Sequence, residues 1–176
     1  MVQIGEPLSK RENMSIAQAE PIIVFASGCF DLFHIGHLQF LEQAASLGDR
    51  LIVGVQTDEW MVESKKEAPI YPLCHRLRIV AALSCVDVAF PIHGSRDEIG
   101  TVLCGATIRA VSTDHGYLPE HHRLREKLEA AGVEYIEIPR TPNISTTEIK
   151  EKCFEEVYYN RDAELYDSFY GVRPKD

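Results

Sequence analysis

Pro21-Ile22-Ile23-Val24-Phe25-Ala26-Ser27-Gly28-Cys29-Phe30-Asp31-Leu32-Phe33-His34-Ile35-Gly36-His37-Leu38 is the stretch whose reading decides the fold. It opens with a run that is apolar on both sides, as a strand covered on both faces of a parallel sheet must be. The run stops at Gly28 and a tight loop follows. From Gly36 onward Leu38, Leu41, Ala44, Ala45 and Leu47 fall at helical spacing, which predicts a helix over 36–48 stopped by Gly48. Two imidazoles therefore flank a glycine where a helix begins. The free N–H groups and positive dipole end of a helix favour an anion, and Gly36 lets a ligand approach the backbone closely. Phosphate suits such a place, with His34 and His37 donating to its oxygens. A single histidine at a helix start is usually a cap or a surface residue. Two around a glycine, just after Gly28-Cys29-Phe30-Asp31 at a strand end, make a far more specific pattern.

The alternation continues outward from this unit. Leu51 to Val55 reads as a second buried strand, Thr57-Asp58 caps a helix near 58–63, and a charged loop over 64–71 carries Lys65 and Lys66. Pro72 opens a helix to about residue 84, with Leu73, Leu77, Val80, Ala81 and Leu83 inward. Strands follow at 86–92, 108–111 and 133–138, separated by helices at 95–104 and 119–131. Ser145 with Glu148 three residues on is a capping-box pattern for a helix to about Tyr158. Strands alternating with helices predict an α/β fold: a single Rossmann-like, doubly wound domain on a five-stranded parallel sheet. Its ligand should lie beyond the carboxyl ends of the strands, where their order reverses. Residues 28–31, 112–115 and 139–147 all follow strand ends. Residues 1–20 read as a polar extension, 21–153 as the domain, and 154–176 as a tyrosine-rich helical tail that packs either on the body or on a partner.

Length and charge narrow the function classes. At 176 residues the chain fits one domain with a real core. A net charge of −9 disfavours a nucleic-acid binder with a broad basic face. No apolar run approaches the roughly 20 residues needed to cross a bilayer, and the N-terminus does not read as a secretory signal. Five scattered cysteines, at 29, 74, 85, 104 and 153, include no CxxC pair, so a disulfide framework or zinc site is not expected and a cytoplasmic setting is. Exposed carboxylates beyond about 8 Å are screened at physiological salt. Locally, His34, His37, Lys65, Lys66, Arg76 and Arg140 gather positive charge near the expected crevice.

The Gly28–Asp31 loop followed by His34-x-Gly36-His37 resembles the nucleotidyltransferase superfamily that carries an HxGH signature. Arg140-Thr141-Pro142-Asn143-Ile144-Ser145-Thr146-Thr147 resembles the RTxxISTT block of its cytidylyltransferase branch, in particular the glycerol-3-phosphate cytidylyltransferases. The likeness covers about residues 21–153. It implies transfer of CMP from CTP to a small phosphorylated metabolite, giving a CDP-linked product and pyrophosphate. An acceptor phosphate attacks the α-phosphorus in line, so no protein nucleophile is required and catalysis reduces to positioning and charge stabilisation. The resemblance implies that His34, His37, Lys66 and Arg140 act on the phosphates. It places Gly28, Cys29, Phe30, Gly36, Asp114, Thr141, Ser145 and Thr146 around the nucleotide. Lys65 and Arg76 would stand near the acceptor or the phosphates, with a helix-surface ion pair as the plain alternative for Arg76. Asp31 reads as structural. Magnesium would arrive on the CTP phosphates without direct protein ligation, and the family implies a homodimer.

Two features keep other readings open. After the fourth strand the family usually carries glycine, acidic residues and an aromatic, whereas this chain has Ser112-Thr113-Asp114-His115-Gly116-Tyr117, so the acceptor could be glycerol-3-phosphate or another polyol or amino-alcohol phosphate. Tyr71-Pro72-Leu73 with Ala81-Ala82-Leu83-Ser84-Cys85-Val86-Asp87 is also similar to heptose-phosphate adenylyltransferases, which use ATP. The RTxxISTT block favours CTP. A non-catalytic nucleotide-binding module on the same fold would bind nucleotide and release no pyrophosphate.

Overall fold

The apolar run becomes β1 (Ile23–Gly28) and takes the middle of the sheet, where a strand is covered on both faces. The computed structural model describes residues 20–94, 105–112 and 119–153. After β1 come α1 (Ile35–Ala45), β2 (Arg50–Gln56), α2 (Asp58–Lys65), α3 (Leu73–Ala81) and β3 (Val88–Ile92). Then follow β4 (Ile108–Ser112), α4 (Pro119–Ala130), β5 (Glu134–Ile138) and α5, which is helical over 146–153. All five strands are parallel in the order β3-β2-β1-β4-β5. The chain order thus reverses between β1 and β4, at the ends of which a ligand crevice is expected.

Alternate side chains go to opposite faces. Val24, Ala26, Val53, Val55 and Ala110 pack with Leu41 and Ala44 of α1 and Val80 of α3. Val111 and Tyr135 face the other way and pack with Leu124 and Leu128 of α4. Helices on both faces make the sheet doubly wound. Each of the fully buried aliphatic side chains contributes roughly 1.5–3 kcal/mol to holding these layers together.

Several boundaries depart from the sequence reading. Helix α1 ends at Ala45 with Ser46 as its C-cap, short of Gly48. Gly48 serves a different need: a Cβ there would lie 2.7 Å from the Ile22 carbonyl oxygen and 2.7 Å from Val24 Cγ2. Pro72 is the N-cap residue of α3, with extended backbone, rather than part of its first turn. β3 begins at Val88, because the Asp87 carboxylate accepts the Leu51 N–H at 2.8 Å and ends the approach to the sheet with a side-chain bond. The expected helix over 95–104, Asp114, the tail over 154–176 and residues 1–19 of the extension lie outside the described residues.

Candidate active site

The opening of α1 is capped by its own histidines. His34 has extended backbone and its Nδ1 accepts the Gly36 N–H at 3.1 Å, while His37 Nδ1 accepts the His34 N–H at a longer 3.4 Å. Imidazoles replace the usual Ser and Glu of a capping box. The two rings stack, with centroids 3.8 Å apart, and the edge of His37 meets Phe30 at 5.4 Å. A neutral imidazole that accepts at Nδ1 carries its proton at Nε2. Both rings are therefore fixed in the tautomer that donates from Nε2. Partial burial, and then the positive charge of Arg140, holds the His34 pKa below its usual value, against a smaller opposing pull from Glu148. The ring is neutral at pH 7 by that sign. Gly36 has a packing role here as well, since a Cβ would come within 3.0 Å of the His34 ring and 3.1 Å of Ile144 Cγ2.

The α1 opening faces a second one. Ser145, buried, accepts the Glu148 N–H on its hydroxyl at 3.0 Å and starts α5 as an N-cap. Thr146 donates its hydroxyl to the Asp31 carbonyl at 2.9 Å, and Thr141 donates to Gln39 of α1 at 2.8 Å, so the 141–146 segment is tied to both the β1 loop and α1. Between the two openings lies a cavity of about 470 Å³. Of the residues expected at the site, His34, His37 and Arg140 line it, as do Gly28, Cys29, Phe30 and Gly36 on one wall and Thr141, Ser145 and Thr146 on the other.

Two expected residues, Arg76 and Lys66, are placed differently. Arg76 is fully buried, and it does not line the cavity. Its guanidinium donates to the carbonyls of Cys29 and Tyr71 and pairs with Asp58 at 2.6 Å. A charge with no access to water must be satisfied by neighbours, and here it cross-ties the β1 loop, α2 and the turn before α3. Arg76 is thus a brace, neither an acceptor contact nor a surface ion pair. Lys66 stands in left-handed conformation (φ 61°) at the C-cap of α2, and its ammonium caps the Glu63 carbonyl at 2.9 Å, outside the cavity wall. The Lys65 side chain lies outside the described residues.

Asp31 behaves as expected of a structural carboxylate. Almost completely buried, it accepts the Ile70 and Tyr71 N–H groups at 2.9 Å each and that of Leu32 at 3.1 Å. Lys150 of α5 approaches it at 3.7 Å and pairs with Glu67 at 2.9 Å. One carboxylate thereby roots the charged loop on the β1 loop. Phe30 and Leu32, with φ of 54° and 45°, hold the left-handed conformations that turn this loop back on itself.

The sequence reading missed Ser27, Gln56, Trp60 and Arg109, all of which line the cavity. Ser27 and Gln56 were legible in principle, as polar residues ending the apolar runs of neighbouring strands. Trp60 comes from the first turn of α2. Gln56 is buried and accepts the Cys29 thiol proton at 2.6 Å. Among the described residues no group of three His, Cys, Asp or Glu side chains is arranged to hold a metal ion, and no helix is long and apolar enough to cross a membrane.

A switch-point crevice walled by two capped helix openings and a pair of Nε2-protonated imidazoles defines the nucleotidyltransferase class. Within it, the chain belongs to the cytidylyltransferase-like family, whose model matches residues 25–152. Similar curated proteins are named bifunctional protein HldE. That of Actinobacillus pleuropneumoniae serotype 5b is 34% identical over 152 residues, covering 85% of this chain and 31% of the relative. That of Photorhabdus laumondii is 35% identical over 130 residues, covering 72% and 27%. The chain thus spans less than a third of the length of these relatives. Among solved structures, a lipopolysaccharide core biosynthesis protein from Thermoplasma volcanium superposes with a TM-score of 0.58 at 26% identity, over 69% of this chain and 97% of the other.

Proposed function

We propose that the protein transfers a nucleoside monophosphate from ATP to a phosphorylated sugar of the heptose-phosphate type. An oxygen of the acceptor's phosphate attacks the α-phosphorus of ATP, the bond from that phosphorus to the bridging oxygen breaks, and pyrophosphate leaves. The single observation that carries nucleotidyl transfer is the reciprocal capping of α1 by His34 and His37. It leaves an Nε2–H on each ring to donate to the polyphosphate, and the lowered His34 pKa lets that ring donate without the energetic cost of burying an imidazolium ion. The N–H groups that open α5 and the guanidinium of Arg140 meet the same polyphosphate from the opposite wall. Magnesium would be carried by the triphosphate and would neutralise part of its charge; the residues on these walls are hydrogen-bond donors, which suit phosphate oxygens.

The choice of ATP rests on the HldE relatives and on the Tyr71–Leu73 and Ala81–Asp87 likeness to heptose-phosphate adenylyltransferases; the lipopolysaccharide core protein is consistent with a sugar acceptor. This reverses the preference for CTP drawn from the sequence. CTP stays as the second reading for one reason: the RTxxISTT block forms the cavity wall through Arg140, Thr141, Ser145 and Thr146. Pyrophosphate release measured with ATP and CTP against a panel of phosphorylated sugars and polyols separates them. ATP with a heptose phosphate is expected to exceed CTP by at least about tenfold. Turnover with CTP alone would restore the cytidylyl reading, and nucleotide binding without pyrophosphate from any pair would leave a binding module.

A further inference from the structure

Arg109 is a basic side chain in the middle of β4, where the apolar run Ile108 to Val111 should need none. It is 3% exposed, and its Cα registers with Phe25 on β1 and Tyr135 on β5, both aromatic. Its guanidinium lies over the Phe25 ring, 4.7 Å from the centroid. A leucine would fill this place among aromatic rings with no desolvation cost, whereas a buried guanidinium is expensive unless its hydrogen bonds are matched. Beside it the Tyr135 hydroxyl is buried with no hydrogen-bond partner among the described residues.

The direction of the side chain gives its use. Although the Cα registers with Phe25, Nη2 donates to Ser27 Oγ at 2.6 Å, two residues nearer the carboxyl end of β1. The head therefore runs up the sheet toward the switch point, where Ser27 and Arg109 both line the cavity. Nη1 also donates to the Phe25 carbonyl at 3.4 Å, so the side chain is braced along β1. A guanidinium offers a fork of donors matched to the two oxygens of a carboxylate or a phosphoryl group. This floor sits across β1 from the imidazole wall, because Phe25 and Ser27 share the face opposite Val24 and Ala26.

We propose that Arg109, aimed by Ser27, binds an oxyanion of the phosphorylated acceptor and selects acceptors that carry it there. The inference rests on the nucleotidyl-transfer reading above and names what the other half of that cavity accepts. The oxyanion is either the attacking phosphoryl group or a carboxylate on the same molecule.

The test uses the full chain and its variants Arg109→Met, Arg109→Lys and Ser27→Ala. Arg109→Met should raise the acceptor KM by about 30-fold or more, while KM for the nucleotide and the thermal midpoint change little. Arg109→Lys should recover part of the loss, and Ser27→Ala should raise acceptor KM several-fold with the nucleotide unaffected. An unchanged acceptor KM in a folded Arg109→Met protein overturns the proposal. Should that variant fail to fold, an unchanged acceptor KM in both Arg109→Lys and Ser27→Ala overturns it instead. A direct arm is independent of turnover. With the polyphosphate wall filled by an α,β-methylene ATP analogue, inorganic phosphate or acetate should bind the wild-type chain, and Arg109→Met should abolish that binding. Preference for phosphate marks the phosphoryl group as the ligand, and preference for acetate marks the carboxylate. Binding of neither, or equal binding to the variant, overturns the oxyanion site. Absence of pyrophosphate with every nucleotide and acceptor would sink the nucleotidyl-transfer reading while leaving this anion result standing.

Discussion

The two helix openings that wall the cavity solve one problem with different chemistry. At α5 the cap is a serine hydroxyl, which accepts a backbone N–H and keeps its own proton to donate. At α1 the caps are imidazoles, which accept at Nδ1 and donate at Nε2. Both arrangements let a single side chain finish a helix and face a ligand. Only one of them titrates near neutrality. The difference teaches that pH response and loss of catalysis should concentrate at α1, while α5 should behave as a plain structural and binding element.

The largest effect that would break this contrast is at His37. His37→Ala should lower turnover by about 10² or more with the fold retained, measured by pyrophosphate release beside circular dichroism. Unchanged turnover would remove the imidazole wall from the reaction. Next in size, Ser145→Ala should cost about 1 kcal/mol of stability through the lost cap and weaken nucleotide binding, with Ser145→Thr restoring most of both. A Ser145→Ala protein as slow as His37→Ala would erase the distinction between the two openings.

The smallest effect is acid sensitivity. The His34 pKa is lowered in the fold by burial and by Arg140, so the unfolded chain binds the extra proton first. The stabilisation is present above the unfolded value near 6.5 and declines as pH falls below it, because a protonated Nδ1 can no longer accept the Gly36 N–H. Thermal midpoints taken between pH 8 and 5 should fall toward acid. His34→Asn, which can cap without titrating, should flatten that slope, and a slope unchanged in the variant would assign it to other groups.

How far the sequence carried these conclusions depends on the kind of signal. Strand and helix order was legible because buried parallel strands and 3.6-residue spacing leave strong patterns, and the Thr57 and Ser145 caps were legible from single hydroxyls. Arg76 was misplaced because a motif position outweighed a periodicity: Leu73, Arg76, Leu77 and Val80 form one helical stripe, and Arg76 and Val80 are buried. Read by spacing alone, that arginine belonged inside. Arg109 escaped for the opposite reason. A single polar residue within a short strand carries no period, and its partner Ser27 is 82 positions away. The acceptance of backbone N–H groups by the two imidazole Nδ1 atoms could not be read at all, since HxGH spacing says nothing of which ring nitrogen faces inward.

The Arg76 and Asp31 ties also set a rule for re-engineering. Residues 29–31, Asp58 and 70–76 share one pair of buried charges, so they form a single cassette. Grafting any one of these segments from a homologue strands an ion among the others. Changes of acceptor preference by loop exchange should therefore succeed only when the three pieces travel together.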